Sequence, residues 1–511
     1  MRKLFYILAT LGCSLTLYAQ APNIQWQKNL GGSEFDYAQE IQKTTDGGYI
    51  MIGFSNSTDN DVSGNHGGED CWVVKLNASG SIEWQKSLGG SSDDRGSSIK
   101  QTADGGYIIA GSTSSVDGDV TENKGMNDYW IVKLNSSGNI QWQKTYGSSM
   151  EDRGLSVAQT TDGGYIVAGT AGAPDEDVIG NHGNDFWVLK LDSSGSIQWQ
   201  KSMGGSGYEY LKTIQQTTDN GYIITGWLGS NDGDATGGHG SDDFWVVKLN
   251  SSGTIQWNKA LGGSGTDTVM NLKQTSDGGY IAVGTSNSTD GDVAENHGDS
   301  DYWVVKMNSS GSIQWQKSFG TSFEDVAMSV QQTADGGYAI AGYSNQYPGF
   351  NIHGTNYWIL KLNNSGTLLW EKTLGGGARD EPTSIHETGD GGLIIGGYSA
   401  SSDGDLTGNN GKVDYWVVKL GNTATLGTSE TNRSNSVSFY PNPAKDFVTI
   451  NHLPTETTIH ITDMSGRKLF SQKYDQEKIT INTSPFVNGI YMIQVQHEGK
   501  TILSDKLIIK K

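Results

Sequence analysis

Two short patterns alternate along this chain. Apolar residues run almost unbroken through segments such as "YIIAG" (107–111) and "YWIVKL" (129–134). Such runs suit strands that are buried on both faces. Clusters of small polar residues, such as "ADGG" (103–106) and "NSSG" (135–138), separate them. They supply the positive-φ positions that tight hairpins need. Over residues 97–147 the pattern predicts four strands: "SSIKQT" (97–102), "GYIIAGS" (106–112), "YWIVKL" (129–134) and "NIQWQKTYG" (139–147). Only the connection between the second and third is long.

The whole unit then recurs. "TTDGGYIMIGFS" (44–55) returns as "TADGGYIIAGST" (102–113) and five more times. Tryptophan measures the period. One series stands at 26, 84, 142, 199, 257, 315 and 370, and a second at 72, 130, 187, 245, 303, 358 and 416. Of the 15 tryptophans only Trp227 lies outside both series. A period near 58 with strand content means a propeller or a solenoid. The ends choose between them. The repeats open on a lone fourth strand, "NIQWQKNL" (23–30), and stop after a third, "DYWVVKL" (414–420). A ring uses both fragments as one complete blade, and closure protects the sheet edges. The expected fold is therefore all-β, a seven-bladed β-propeller over 21–420, closed by pairing of strand 24–30 with strand 415–420.

Composition agrees, with 71 Gly and 8 Pro in 511 residues. The first twenty residues read as a signal peptide: Arg2 and Lys3, the apolar "LFYILATLGCSLTL", then small residues around Ala19–Ala21. No other segment reads as a membrane span. If Cys13 leaves with the signal, only Cys71 remains, as a packed apolar side chain rather than a nucleophile. The net charge of −21 argues against nucleic acid and anionic membranes as partners.

Two family resemblances add to this reading. The hairpin "LDSSGSIQW" (191–199) resembles the tryptophan-docking motif of quinoprotein-type propellers, which implies that the indole packs between neighbouring blades. Quinoprotein dehydrogenases typically have eight blades and a vicinal cysteine pair; this chain has neither, so redox chemistry does not carry over. After a polar linker (421–435), "SFYPNPAKDFVTI" (438–450), "ITDMSGRKLFSQ" (461–472) and "NGIYMIQVQHEGKTILSDKLIIKK" (488–511) resemble the type A C-terminal sorting domain of the type IX secretion system of Bacteroidetes-like bacteria. That resemblance implies a small β-sandwich over 436–511, recognition by the outer-membrane translocon as partner, removal of the tail, and a body left at the cell surface or in the medium.

Candidate chemistry belongs on the long-loop face, because function sits on loops held by a rigid scaffold. Each blade has an acid ahead of its first strand: Asp36, Asp94, Asp152, Glu209, Asp267, Asp325 and Asp380. These either ring the channel mouth or accept hydrogen bonds from their own loops. Six long loops carry Asp-x-Asp: Asp59/Asp61, Asp117/Asp119, Asp175/Asp177, Asp232/Asp234, Asp290/Asp292 and Asp403/Asp405. The spacing partly echoes a calcium loop, which makes calcium the one candidate cofactor; Asx-turns explain the same residues without a metal. His66, His182, His239, His297 and His353 are spread one per blade, so they do not converge as zinc ligands.

Positions that break the repeat point to a ligand. Trp227, Tyr208, Tyr210, Tyr343, Tyr347 and Phe350 gather in blades four to six. Aromatic rings beside carboxylates suit sugars and peptides. No catalytic residues stand out: no nucleophile elbow or phosphate loop occurs in a fitting context, and the blades hold only Arg95, Arg153 and Arg379. The expected function is a secreted or cell-surface binding or adhesion module for glycan or protein ligands. The alternatives are a polysaccharide-degrading hydrolase or lyase on the same scaffold, or a structural surface component.

Overall fold

In a computed structural model of the protein, residues 20–345, 354–422, 437–440, 444–463, 467–497 and 500–511 are described. Residues 1–19 and most of the stretch between 421 and 435 lie outside them. The chain divides into two compact units, Met1–Thr423 and Ala424–Lys511. Among the described residues the first unit is seven four-stranded antiparallel sheets. Six use consecutive strands; the second sheet, for example, is Asp94–Gln101, Tyr107–Thr113, Asp128–Leu134 and Ile140–Tyr146. The seventh combines Asp380–Glu387, Leu393–Ser399 and Asp414–Leu420 with Ile24–Leu30 from the start of the repeats. Leu30 pairs with Tyr415 and Gln27 with Val418, which is the closure that the sequence predicts. Buried tyrosines tie successive sheets together. Tyr129 Oη donates to the Trp187 carbonyl at 3.0 Å, Tyr357 Oη to Trp416 at 3.2 Å and, across the closure, Tyr415 Oη to Trp72 at 3.0 Å.

The unbroken apolar runs become the middle strands. Every residue of Asp128–Leu134 is buried. Ile50, Ile52 and Val73 of the first sheet form one core with Ile109, Trp130 and Val132 of the second. Fully burying a side chain of this size is worth about 2 kcal/mol, so the contact between sheets dominates the fold's stability. Cys71 lies in the same core at 0% exposure, and burial pushes its thiol well above the ordinary range.

The repeated turns work for the same end. Gly80 has φ +79°, and a Cβ there would lie 2.7 Å from the Trp26 ring, so the seventh sheet's indole rests on a turn of the first. Trp84 meets Gly138 and Trp142 meets Gly195 in the same way. This is the inter-blade docking that the hairpin resemblance implies. Asp104, from the "DGG" turn, accepts the Gly106 amide at 3.0 Å and lies 2.9 Å from Lys133 Nζ. That lysine side chain is 4% exposed and also donates to the Leu134 carbonyl. The recurrent Asp thus neutralises the recurrent Lys of "WVVKL"-type strands. Both residues recur because the scaffold needs them.

The second unit holds two sheets among its described residues. One is Ser438–Tyr440, Phe447–Asn451 and Ile479–Asn482; the other is Thr457–Asp463, Lys468–Tyr474, Gly489–His497 and Lys500–Ile509. They share one apolar core that includes Val448, Ile450, Ile461 and Ile493, a small β-sandwich.

Candidate binding surface and channel

A cavity of about 380 Å³ is lined by residues from the first strand of all seven sheets. It is the ring's central channel. Strand geometry sends the same register positions inward in each sheet. Counting from the leading acid as one, position four supplies Gln39, Ser97, Leu155, Lys212, Met270, Met328 and Thr383 to the wall. Position seven supplies Lys100, Ala158, Gln215, Lys273 and His386. These strands do not repeat in identity where they face the channel, whereas the faces between sheets repeat closely.

The channel is cationic although the protein is acidic. Its one carboxylate among the lining residues is Glu40. Glu40 pairs with Lys100, accepts the Ile99 amide at 2.8 Å and the Ser98 hydroxyl at 3.0 Å, and accepts Gln42 Nε2 at 2.8 Å. Burial opposes its ionisation, but Lys100 and these hydrogen bonds hold its carboxyl below the ordinary range. Lys212 and Lys273 have no carboxylate partner among the described residues. Burial lowers each ammonium to about 8, and Lys100 adds repulsion at Lys273. Burial, then Lys273 and Lys100, lowers His386 to about 3, so its ring is neutral at pH 7.

The predicted aromatics divide into three groups. Tyr210 and Trp227 pair across adjacent strands and stack, with centroids 4.6 Å apart and planes 14° apart. Tyr210 lines the channel, and Lys212 Nζ stands 5.1 Å from the centroid of each ring. Tyr208 is 53% exposed in the loop just ahead of them. Tyr343 is half-buried at the equivalent place in the sixth sheet, opposite Val326. Tyr347 and Phe350 lie outside the described residues.

Sequence reasoning missed a second aromatic cluster. Tyr37 packs on Phe54 at 5.3 Å and edge-on to Tyr398 at 4.9 Å, joining the first and seventh sheets. Arg95 lies 5.1 Å from the Phe54 centroid and Arg379 5.5 Å from that of Tyr398. Phe54 and Tyr398 occupy the register of Trp227, so alignment of the repeats was the available signal. The three arginines are each tied to a glutamate: Arg95 to Glu69, Arg153 to Glu151 and Arg379 to Glu381.

The acids serve the scaffold. All seven leading carboxylates are at 0% exposure, so they do not ring the channel mouth. Asp36, for example, accepts the Gly32 amide at 2.8 Å and the Ser57 hydroxyl at 3.0 Å. A second buried acid adjoins it from the neighbouring sheet: a Cβ on Gly31 would lie 2.5 Å from both Asp36 Oδ2 and Asp414 Oδ1. Burial, with repulsion from Asp36, pushes Asp414 up to about 7. Burial also raises Asp128 and Asp185 to about 6, beside Asp152 and Glu209.

The Asp-x-Asp segments brace the long loops of six sheets against their leading loops. Asp59, Asp117, Asp232, Asp290 and Asp403 each accept an amide at 2.7 Å, from Ser33, Ser91, Ser206, Ser264 and Gly377. Asp61, Asp119, Asp292 and Asp405 accept from Gly31, Gly89, Gly262 and Gly375 at 3.1–3.4 Å. Asp234 is held through its own amide, which donates to the Gly204 carbonyl at 2.9 Å. Asp175 accepts the Ser149 amide at 2.8 Å. Among the described residues no three His, Cys, Asp or Glu side chains are placed to hold one metal ion. His66 and His297 instead bond Asp70 and Asp301 at 2.8 and 2.6 Å within their own loops.

Comparison with known proteins bears first on the second unit. Residues 438–510 match the family described as the secretion system C-terminal sorting domain. The chain is 25% identical over 242 residues to the regulatory protein FlaEY of Caulobacter vibrioides, a match covering 42% of this chain and 24% of that protein. It thus spans about a quarter of the length of that relative. Among solved structures it resembles PorZ, a surface component of the type IX secretion system of Porphyromonas gingivalis. Identity there is 12% and the TM-score 0.41, over 94% of this chain and 60% of PorZ. BamB of Moraxella catarrhalis gives 14% and 0.38, over 78% of this chain and 99% of BamB. The chain is a β-propeller protein with a type IX sorting tail, exported through the periplasm to the cell surface or the medium.

Proposed function

We propose that the exported propeller is a binding module for glycan or protein ligands, and that its ligand stacks against Tyr210 and Trp227. One observation carries this reading. A stacked aromatic pair borders the channel, with the Lys212 ammonium 5.1 Å from each ring, at a register where three sister sheets have Ser112, Thr170 and Thr285 and three have Phe54, Tyr343 and Tyr398. The equivalent pair in the first sheet, Tyr37 and Phe54, is tilted by 35°, so the near-parallel stack facing Lys212 is particular to the fourth sheet, and rigid aromatic surface gives contact area at low entropic cost. The carboxylates near the leading loops are buried and recur in every sheet, which favours a binding role over a hydrolytic pair of acids. Cleavage of the signal near residue 20 and removal of the tail belong to the same proposal, with the type IX translocon as the tail's partner.

A glycan array probed with the full chain tests it. Tyr210→Ala combined with Trp227→Ala is expected to weaken the strongest hit at least tenfold, since aromatic anchors often contribute about 2 kcal/mol or more. The melting temperature should stay within a few degrees. A soluble double variant with unchanged affinity would place the ligand elsewhere.

A further inference from the structure

The buried lysines of this ring follow one rule, and two lysines of the channel wall stand outside it. In each sheet the buried lysine of the third strand meets a turn aspartate: Lys75 with Asp46, Lys133 with Asp104 and Lys248 with Asp219, each at 2.9 Å. Lys212 and Lys273 sit in the channel wall with no such partner among the described residues. Lys212 faces aromatic rings. Lys273 has not even that. The only carboxylate that lines the channel among the described residues, Glu40, is saturated by Lys100, Gln42, Ser98 and the Ile99 amide. Three ammonium groups therefore share one carboxylate. A half-buried charge with no ion-pair partner of its own is costly, whereas each fully buried lysine of the third strands is neutralised by its turn aspartate.

The same wall holds two buried polar atoms without a hydrogen-bond partner, Asn271 Oδ1 and His386 Nε2. Asn271 is two residues before Lys273 on the strand Asp267–Gln274, and both line the cavity. The space of about 380 Å³ is ample for a small anion and its water. Positive charge, unsatisfied polar groups and open volume thus coincide in one channel.

We propose that the central channel binds an oxyanion, a carboxylate, sulfate or phosphate group, against the ammonium groups of Lys273 and Lys100. Low dielectric strengthens that attraction, whereas the acidic exterior repels the same anion. The site therefore selects a ligand small or slender enough to enter. Glu40, Lys100, Tyr210, Lys212 and His386 are the charged or titratable groups that line the channel with Lys273. His386 stays neutral over the working range, and loss of the Lys273 proton near pH 8 weakens the attraction. The inference goes beyond the aromatic platform and does not depend on it.

The test is calorimetric titration of the full chain at pH 7 and constant ionic strength. Sulfate and phosphate probe the free anion; glucuronate probes the same chemistry carried on a sugar; glucose is the neutral control. At least one anion is expected to bind saturably. Lys273→Met should lower its affinity tenfold or more, Lys273→Arg should retain it, and Lys317→Met, on an exposed outer strand, should leave it unchanged. Affinity should also fall between pH 7 and pH 9. If Lys273→Met does not fold, Lys100→Met with the pH series replaces it, and binding that ignores both overturns the proposal. Absence of saturable anion binding, binding independent of Lys273, or equal binding of glucose and glucuronate would each overturn it too. Tyr210→Ala with Trp227→Ala should keep the sulfate or phosphate affinity, which separates failure here from failure of the platform reading.

Discussion

Single residues show how strictly the repeat is used. In most sheets the buried tryptophan of the third strand donates Nε1 to a glutamine on the fourth: Trp72 to Gln85 at 2.8 Å, Trp187 to Gln200 at 2.9 Å and Trp303 to Gln316 at 3.0 Å. In the fourth sheet that position is Asn258, one methylene shorter, and Trp245 Nε1 is buried without a partner. An unsatisfied buried donor costs about 1–3 kcal/mol. Asn258→Gln is therefore expected to restore the bond and raise the melting temperature by a few degrees. Chemical denaturation with an unchanged m-value would check that the native state alone gained stability. A neutral or destabilising result would mean that the side chain does not reach. Asn258 stands in the same sheet as Tyr210 and Trp227, so the sheet that loses this bond also carries the candidate platform.

At the scale of elements, strand boundaries were legible to within three residues. The first strand of the second sheet was read from 97 but begins at Asp94, because Asp94 pairs with Thr113 and its carboxylate is enclosed there. An acid read as lying ahead of the strand is thus part of the ladder. The same convergence creates the buried acid pairs where neighbouring sheets meet. Asp128 and Asp185 have carboxyls raised to about 6, as has Asp380, and Asp414 to about 7. Folding favours their protonated forms, so their contribution is complete below the ordinary carboxylate range near 4 and is lost as pH rises through 6 to 7. The turn aspartates beside buried lysines behave oppositely. Asp46, Asp104 and Asp277 are held down to about 2, so their contribution is present above about 4 and lost as pH falls towards 2. These turn carboxylates are about half exposed, so water weakens their share. The melting temperature is expected to peak between about pH 4 and pH 6 and to fall by pH 8. Asp414→Asn should flatten the alkaline side. A melting temperature that climbs steadily from pH 5 to pH 8 would contradict the buried pairs.

The whole molecule was legible because its repeats are copies: fourteen evenly spaced tryptophans report a ring before any contact is known. The channel was not. Glu40, Lys100, Lys212, Lys273 and His386 are single polar residues on separate strands, and nothing in the sequence marks them as neighbours until seven strands converge. Tyr210 and Trp227 were found by departing from the pattern, but their stacking depends on register. All of this rests on closure. The strand Ile24–Leu30 completes the seventh sheet, places Trp26 on the turn at Gly80, and lends Gln27 Oε1 to Trp416 Nε1 at 2.9 Å. The most direct measurement is thermal unfolding, with amide hydrogen exchange, of a chain that begins at Gly31. Losing a strand that pairs along its length should cost several kcal/mol, lower the melting temperature by many degrees, and speed exchange along Asp414–Leu420. A chain without Ile24–Leu30 that melts and exchanges like the intact protein would contradict the ring, and with it the channel.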